Sequence, residues 1–343
     1  MMEEIVVKGV SGKSRIIFGD MRDKLTGLIP GQALFVVTDR QVHTLYAERF
    51  PRCPVYVTEA GEQSKSPAVA MDICRWLLAA GAGRDAFILG IGGGVVCDLA
   101  GFVASVYMRG LDFGFVATTL LAQVDASVGG KNGVNLDGYK NIVGTFNQPR
   151  FVLCDTSLLR TLPEAELRNG LAEVVKHTLI ADKAMFHLLR KQAGDILSLD
   201  QPLIHKVVAH SVRVKAGVVN RDERERGERR KLNLGHTWGH AVEKTQGIPH
   251  GQAVSIGLAF AAGLSEHRGL LKARERSQLL ELLAALGLPT ATKGDRGKVF
   301  AAMVKDKKRE TGHIHFVLMK GIGEVVVEPI PLGELEAYAL RLP

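Results

Sequence analysis

Apolar residues in the first half of the chain fall into short runs, separated by stretches with helical spacing. Pro67 to Ala80 has apolar residues at helical intervals and stops at Gly81-Ala82-Gly83, which predicts a helix. Six runs rich in Val, Ile and Phe predict strands, the first two as a pair: 5–7, 15–18, 33–38, 55–58, 86–90 and 113–118. Strands that alternate with helices are typical of a parallel sheet covered on both faces, so we expect an α/β fold here.

The pattern changes near Pro163, because almost everything from there to about Ala285 has helical periodicity. Two apolar runs around Gly321-Ile322-Gly323 predict a late hairpin. The predicted helices are 165–180, 183–190, 203–219, 232–245, 253–268 and 273–286. We therefore expect two domains, an α/β domain at 1–162 and a mainly α-helical domain at 163–343.

Composition narrows the class of protein and its compartment. The 343 residues are 46% hydrophobic and 23% charged, as in water-soluble globular proteins. Four cysteines without a C-x-x-C pair indicate reduced thiols. The first residues lack the basic-then-apolar order of a signal peptide, and the apolar stretch 253–264 is too short to cross a bilayer. We expect a cytoplasmic protein that makes no membrane contact.

The formal net charge of +8 raises the question of an anionic partner. Basic and acidic residues alternate between Arg221 and Lys231, no aromatic residues interleave with them, and no helix-turn-helix or RNA-binding pattern occurs. These features argue against nucleic acid. They favour a solvated charged segment or a basic cleft for a small anionic substrate.

Three histidines are the first candidates for chemistry. His236 and His240 are four residues apart on one predicted helix and share a face, and His250 follows a Gly/Pro turn where the next helix begins. Imidazoles placed in this way can converge on a divalent metal. Surface or capping histidines that fall together by chance are the alternative, although Gly235 and Gly239 favour a crowded site.

A glycine-rich turn, Gly92-Gly93-Gly94, follows the strand predicted at 86–90 and opens a helix. Ligands of parallel sheets bind beyond the carboxyl ends of the strands, and glycines at a helix N-terminus let backbone N–H groups approach a pyrophosphate. Because the full G-x-G-x-x-G order is absent, a tight β–α turn without a ligand is the alternative. Asp39, at the end of an earlier strand, is suited to bind a ribose or to cap a helix.

Small residues and glycines between 117 and 135 surround one acid, Asp125, and one lysine, Lys131, and the following Gly138-Tyr139-Lys140-Asn141 brings a second lysine. Such a segment suits a phosphate or carboxylate, and lysines on a solvated loop are the alternative. Together with Gly92–Asp98, the Glu-Val-Val-Lys at 173–176 and the Gly-His-Thr-Trp-Gly-His at 235–240, it resembles the 3-dehydroquinate synthases of the sugar-phosphate cyclase superfamily. The matching motifs run from about residue 62 to residue 308, in family order.

The resemblance implies a Rossmann-like, NAD-binding N-terminal α/β domain and a helical C-terminal domain, with the active site between them, in a homodimer. The family's metal ligands fall on Glu173, His236 and His250, which implies zinc or cobalt. His240 then has another role, in phosphate elimination and proton transfer. Without the resemblance, an ion pair of Glu173 with Lys176 on the same helix would be favoured. The segment between His240 and His250 is shorter than is usual in the family.

The resemblance also assigns the ligand contacts. Arg109 resembles the arginine that reaches the phosphate pocket of the neighbouring subunit. The residues that would contact NAD are Asp39, Glu62, Gln63, Ser64, Lys65, Gly93, Gly94, Val95, Val96, Cys97, Asp98, Thr118, Thr119, Asp125, Lys131, Lys140, Leu158, Leu159, Arg160 and Thr161. The residues that would contact or act on the substrate are Asp125, Lys131, Asn141, Lys176, Lys215, Glu225, Arg229, Asn233, His240 and either Lys307 or Lys308.

The implied reaction converts 3-deoxy-D-arabino-heptulosonate 7-phosphate to 3-dehydroquinate and phosphate, in the shikimate pathway of aromatic amino acid biosynthesis. It runs by transient oxidation with NAD, phosphate elimination, re-reduction and intramolecular aldol closure, so the enzyme is a lyase. A substrate with a carboxylate and a phosphate accounts for the basic net charge. Another sugar-phosphate cyclase, a metal-dependent polyol dehydrogenase and a catalytically inactive nucleotide-binding relative are the alternatives.

Overall fold

The structure, a computed structural model, describes residues 4–31, 33–307 and 312–341, and of residues 306 and 307 the backbone alone. Contacts between Cα atoms divide the chain into two compact units. The first unit is Met1–Leu162 with Val208–Arg224, and the second is Pro163–Val207 with Glu225–Pro343.

The secondary structure of both units is as follows. The strands are β1 (Glu4–Gly9), β2 (Gly12–Phe18), β3 (Leu34–Asp39), β4 (Val55–Thr58), β5 (Phe87–Gly92), β6 (Asp112–Ala117), β7 (Lys131–Leu136), β8 (Tyr139–Phe146), β9 (Phe151–Cys154), β10 (His313–Gly321) and β11 (Glu324–Pro331). The helices are α1 (Met21–Leu28), α2 (Arg40–Tyr46), α3 (Pro67–Ala79), α4 (Gly94–Val106), α5 (Glu164–Ala181), α6 (Lys183–Lys191), α7 (Ala193–Leu197), α8 (Gln201–Arg221), α9 (His236–Gln246), α10 (His250–His267), α11 (Ala273–Ala285), α12 (Arg296–Lys307) and α13 (Leu332–Arg341).

The first unit is built on a mostly parallel sheet with the strand order β1-β2-β9-β6-β5-β3-β4. The pair β1–β2 is antiparallel, and the other neighbouring pairs of this sheet are parallel. Strand β5, near the centre, is buried along its whole length. Its Phe87 and Leu89 pack with Met21 of α1 and Val42 of α2, whereas Gly90 faces α4. A strand covered on both faces reads as a continuous apolar run, which is how the sequence reveals it.

The second unit is mainly helical, and its centre is α10. Trp238 of α9 stacks on Phe260 of α10 with ring centroids 4.2 Å apart, and Phe316 of β10 approaches the same ring. The antiparallel hairpin β10–β11 is also held by a hydrogen bond from Met319 N to Ser265 Oγ of α10, 2.9 Å long. Within the described ranges, no helix combines the length and the apolar character that a membrane span requires.

The C-terminal part of α8 belongs to the first unit, although it lies far along the sequence. Asn220 Oδ1 accepts a hydrogen bond from Lys8 N (2.7 Å). The Glu223 carboxylate accepts hydrogen bonds from Val10 N (2.7 Å) and Gln148 Nε2 (3.0 Å). These bonds attach the end of α8 and the residues that follow it to the β1–β2 turn.

The predicted α/β fold with a helical second half is confirmed, and the predicted hairpin is β10–β11. One predicted helix, 232–245, is wrong in its first four residues because α9 begins only at His236. Gly235 has a φ of 79°, a left-handed conformation that separates α9 from the 3-10 turn Glu228–Asn233. The sheet is mixed rather than all-parallel because β1 returns antiparallel along β2.

We expect Glu223 to stabilise the first unit in a pH-dependent way. Burial raises the pKa of Glu223, but hydrogen bonds from Ser11 and Gln148 outweigh it and leave that pKa below its usual value. The carboxylate therefore contributes stability that is present above about pH 4.5 and is lost as the pH falls through its folded-state pKa. At pH 7, Glu223→Ala should lower the free energy of unfolding by about 2 kcal/mol.

Thermal melts between pH 3 and pH 7 would test this expectation. Glu223→Gln should melt below the wild type at pH 7, and the difference should shrink toward pH 3. Glu48→Gln, which replaces an exposed carboxylate, serves as the control. Its melting temperature should vary with pH as that of the wild type does. A gap between Glu223→Gln and the wild type that stays constant with pH would contradict the electrostatic part of this account.

Candidate functional site

Glu173, His236 and His250 converge within the second unit. Glu173 Oε1 lies 3.3 Å from His236 Nε2 and 3.4 Å from His250 Nε2. The candidate ligand atoms of these three residues all lie within 4.8 Å of one another. One carboxylate and two imidazoles are the donor set of a catalytic zinc centre that keeps a position for substrate. These residues could therefore hold one divalent cation.

Three helices place these side chains. Glu173 is fully buried in the middle of α5, while His236 and His250 are the first residues of α9 and α10. The helices α9 and α10 approach closely at Gly239, where a Cβ atom would lie 2.8 Å from Ala253 O. The glycines of the histidine motif therefore serve the close packing that brings both imidazoles to one carboxylate.

The charges of this cluster are coupled. Burial raises the pKa of Glu173, but Lys176 and His236 outweigh it and hold that pKa well below its usual range. Burial, followed by the positive charge of Lys176, lowers the pKa of His236. Burial also lowers the pKa of His250, but Glu173 and Glu243 raise it to about 9. Glu173 is therefore anionic at neutral pH, and His236 offers a neutral nitrogen lone pair.

The structure separates the two histidines that share a helix face. The ring of His240 lies 5.1 Å from that of His236, between centroids, but His240 is exposed, whereas His236 and His250 both reach Glu173. A second group of possible ligands, His240, Glu243 and His250, also has its atoms within 4.8 Å. Glu243 was not among the predicted site residues. Its position two helical turns after His236, on the same face, is the sequence signal for it.

The ion pair between Glu173 and Lys176, which the residues alone favoured, is also present. Both side chains are buried, and the pair joins residues three apart on α5. The ion pair and the imidazole cluster share one carboxylate. The two readings of Glu173 therefore do not compete, because a buried carboxylate needs several partners.

Other predicted substrate residues of the second unit lie on the segment before α9. Arg229 is buried, in the 3-10 turn, and Asn233 Nδ2 donates a hydrogen bond to Glu225 Oε1. Glu225 itself has a φ of 59°, a conformation in which a non-glycine residue is strained. The side chain of Lys307, and Lys308 entirely, lie outside the described residues.

In the first unit, the predicted NAD residues lie at the carboxyl ends of neighbouring strands. Asp39 ends β3, Gly93 and Gly94 connect β5 to α4, and Thr118 and Thr119 follow β6. A Cβ atom at Gly93 would lie 2.9 Å from Thr119 Cγ2, so the glycine keeps this turn narrow. Asp39 also caps α2 by accepting the Val42 N–H, 2.9 Å away. This edge, with the N-terminus of α4 opening onto it, is suited to a pyrophosphate.

Val95, Val96, Cys97 and Asp98 follow Gly94 at the N-terminal end of α4. Lys65, on the loop before α3, forms an ion pair with Asp98. Burial raises the pKa of Asp98, and Lys65 opposes that rise. This pair fixes the loop beside the glycine turn.

The segment that contains Lys131 and Lys140 forms the hairpin β7–β8. Asn135 on β7 donates to Glu62 Oε1 (2.7 Å), and its own Oδ1 accepts the Asn141 N–H (2.9 Å). Lys131 and Lys140 are exposed on the two strands. The hairpin is thus bound to the loop that carries three more of the predicted NAD residues, Gln63, Ser64 and Lys65.

Three further assignments lie elsewhere in the first unit. Lys215 Nζ of α8 donates a hydrogen bond to the backbone oxygen of Asp125 (2.7 Å) and forms an ion pair with its Oδ1 (2.8 Å). Thr161, in the turn with Leu158, Leu159 and Arg160, hydrogen-bonds to Tyr46 at the end of α2. Arg109 is exposed at the opposite end of α4 from the glycine turn, about 20 Å away along a 13-residue helix. The structure therefore places Arg109 away from the glycine turn of its own chain.

Comparison with known proteins identifies the family. The family model described as the 3-dehydroquinate synthase N-terminal part matches residues 55–169, and the C-terminal part matches residues 170–309. The 3-dehydroquinate synthase of Rhodopseudomonas palustris is 41% identical over 347 aligned residues, covering 93% of this chain and 91% of its own.

Solved structures agree on the fold. A 2-epi-5-epi-valiolone synthase from Streptomyces hygroscopicus, with NAD+ and Zn2+ bound, has a TM-score of 0.87 and 29% identity, covering 97% of both chains. A 2-deoxy-scyllo-inosose synthase with carbaglucose-6-phosphate, NAD+ and Co2+ has a TM-score of 0.88 and 24% identity, covering 98% of this chain and 99% of its own, and is evidence of fold alone. From the two family models and the relative at 41% identity, the chain belongs to the 3-dehydroquinate synthase family of the shikimate pathway.

Proposed function

We propose that the protein converts 3-deoxy-D-arabino-heptulosonate 7-phosphate to 3-dehydroquinate and phosphate. The observation that carries this proposal is the convergence of Glu173, His236 and His250 in a chain of this family. The reaction consists of transient oxidation at C5, elimination of phosphate from C7, re-reduction, and an intramolecular aldol step that closes the carbocycle. A chain with a net charge of +8 suits a substrate that carries a carboxylate and a phosphate.

Glu173, His236 and His250 would hold a divalent cation, zinc or cobalt. Their donor set fits such an ion, and their Oε1 and Nε2 atoms already face one another. When bound, the ion would supply Lewis-acid polarisation of a substrate oxygen. Lys176 balances the charge of Glu173 from inside α5 and is assigned to the substrate as well.

The edge at Gly93, Gly94 and Thr118 would hold NAD, with the pyrophosphate at the N-terminus of α4. When bound, NAD would accept a hydride from the substrate and return it within the same turnover. Asp39 would bind a ribose hydroxyl in addition to capping α2, because a carboxylate has two acceptor oxygens. The 29% identical synthase with NAD+ and Zn2+ bound supports both cofactors. The remaining NAD contacts assigned from the sequence belong to the same proposal.

The substrate would be bound by charged and amide side chains. The guanidinium group of Arg229 suits the substrate carboxylate, because its planar fork binds a carboxylate through two hydrogen bonds. His240, exposed beside His236, would move a proton at the phosphate end. The other substrate residues proposed are Asp125, Lys131, Asn141, Lys176, Lys215, Glu225, Asn233 and Lys307.

We also propose the functional organisation expected from the sequence. Residues 1–162 would bind NAD, and residues 163–343 would bind metal and substrate. Arg109 would act in the neighbouring subunit of a homodimer. The enzyme would work in the cytoplasm.

Phosphate release tests the proposed activity. With NAD and zinc, the protein should release phosphate from the heptulosonate phosphate and form 3-dehydroquinate without net NADH. Removal of the metal with a chelator should abolish turnover, and zinc or cobalt should restore it, because the substrate oxygen would lose its polarising ion.

Glucose 6-phosphate, which has no carboxylate, is the control substrate and should release no phosphate. Turnover of glucose 6-phosphate in place of the heptulosonate phosphate would point to another sugar-phosphate cyclase. Net accumulation of NADH without phosphate release would point to a polyol dehydrogenase. No turnover of any of these sugar phosphates would favour an inactive relative.

The roles of the two neighbouring histidines can be separated by substitution. His236→Ala should lose the metal, because it removes one of three protein ligands. His240→Ala should keep a full equivalent of metal but lose about 10²–10⁴-fold in kcat, as expected for a proton-transfer group. Metal content after dialysis, measured beside kcat, would distinguish the two roles. Equal loss of metal in both variants contradicts the assignment.

The glycine turn gives a matched pair of variants for NAD. Gly93→Ala should weaken NAD binding about tenfold or more, because its Cβ would press on Thr119 where the pyrophosphate is expected. Gly27→Ala, at an exposed helix position with open space around it, should bind NAD as the wild type does. Titration of both variants with NAD, with melting curves to check folding, would measure the difference. Wild-type affinity in Gly93→Ala would argue against a site at this turn.

A further inference from the structure

His250 is held by more than its contact with Glu173. Its Nε2 lies 3.4 Å from Glu173 Oε1, and its Nδ1 lies 3.2 Å from Glu243 Oε2. Each ring nitrogen of His250 therefore faces a different carboxylate. The side chain of Glu243 is largely buried, which strengthens an electrostatic contact that solvent would otherwise screen.

The chain between the two residues is short and well fixed. Gly247, with a φ of 64°, ends α9, and its N–H donates to Glu243 O, 2.9 Å away. Pro249 then leads into α10, whose first residue is His250. Glu243 thus holds the α9–α10 turn with its backbone and the imidazole beyond the turn with its side chain.

The neighbouring residue of His250 is fixed as well. Gly251 N donates a hydrogen bond to Asn169 Oδ1 of α5, one helical turn before Glu173. A Cβ atom on Gly251 would overlap the backbone of Asn169, so α5 and α10 are in direct contact here. This contact positions the backbone of His250, and the carboxylates of Glu173 and Glu243 orient its ring.

The other imidazole of the cluster follows the same plan. His236 directs Nε2 to Glu173 and has Nδ1 3.2 Å from Leu234 O. A backbone carbonyl can only accept a hydrogen bond, so Nδ1 of His236 carries the proton and Nε2 offers the lone pair. An ionised carboxylate is likewise an acceptor only, so Glu243 holds a proton on Nδ1 of His250 and leaves Nε2 as the nitrogen that can bind a cation.

We propose that Glu243 is a positioning residue, which holds the Nδ1–H of His250 so that Nε2 is directed at the divalent cation shared with Glu173 and His236. This inference rests on the metal site of the proposed function. Outer carboxylates of this kind fix the ring and the tautomer of a ligating histidine, and their loss typically weakens metal binding about 10–100-fold. Glu243 itself contacts neither the cation nor the substrate.

Cobalt binding tests this role without any assay of turnover. The full-length wild type, Glu243→Ala and Glu243→Gln would be compared with Glu266→Gln, which removes a carboxylate paired with Arg276 near the other end of α10. The Co2+ dissociation constant is measured by competition with a chelator. The visible spectrum of bound Co2+ reports the ligand geometry, and melting curves report folding.

Glu243→Ala should bind Co2+ about 10–100-fold more weakly and with a changed spectrum. Glu243→Gln should bind about fivefold more weakly and keep the wild-type spectrum, because the amide oxygen still accepts the Nδ1–H but lacks the charge. Glu266→Gln should match the wild type. If Glu243→Ala does not fold, Glu243→Gln decides the question, and wild-type affinity in that variant would overturn the proposal.

Two other results would also overturn it. One is an affinity and spectrum of Glu243→Ala equal to those of Glu266→Gln. The other is a second, weaker Co2+ equivalent in the wild type that Glu243→Ala loses while the tight site is unchanged, which would make Glu243 a ligand with His240. A wild type that binds no Co2+ at all would instead refute the metal site of the proposed function.

Discussion

The second unit depends on one buried carboxylate. Glu173 has no solvent exposure, and a carboxylate removed from water destabilises a fold by several kcal/mol unless partners compensate. The compensation comes from Lys176 on its own helix and from His236 and His250 at the starts of two others. The helices α5, α9 and α10 therefore meet at the two carboxylate oxygens of Glu173. Gly239 and Gly251 allow these helices to pack closely. The geometry needed to hold a cation is also the geometry that keeps this acid ionised.

In the first unit, the candidate NAD site at the glycine turn is formed largely by backbone groups. The ends of β3, β5 and β6 lie side by side because the strands are parallel neighbours in the sheet. No side chain caps the N-terminus of α4 at the glycine turn, and the ion pair between Lys65 and Asp98 lies beside it. A parallel sheet with a narrow turn thus supplies much of the binding geometry from the backbone.

The sequence predicted those parts of the structure that follow from local patterns. Continuous apolar runs revealed β5 and β6, and helical periodicity revealed α5 and α10. The hairpin β7–β8 was not recognised, because its glycines and exposed lysines give no alternation of apolar and polar residues. The late start of α9 depends on the left-handed backbone of Gly235. The sequence alone does not show whether a glycine adopts a positive φ. Glu243 was missed for another reason, since its contact with His250 exists only after the α9–α10 turn has closed.

The course of α8 has a consequence for how the chain is made. The last strand of the first unit's sheet ends at Cys154, but Asn220 and Glu223, which hydrogen-bond to Lys8 and Val10, follow 66 and 69 residues later. Residues 163–207 of the second unit are synthesised between these points. During synthesis, the β1–β2 turn therefore lacks its contact with the Glu223 carboxylate until these residues of the other unit have been made. Each unit is compact, but neither is one continuous segment of the chain. A fragment that ends at Leu162 would therefore lack Asn220 and Glu223, which hydrogen-bond to β1 and the β1–β2 turn.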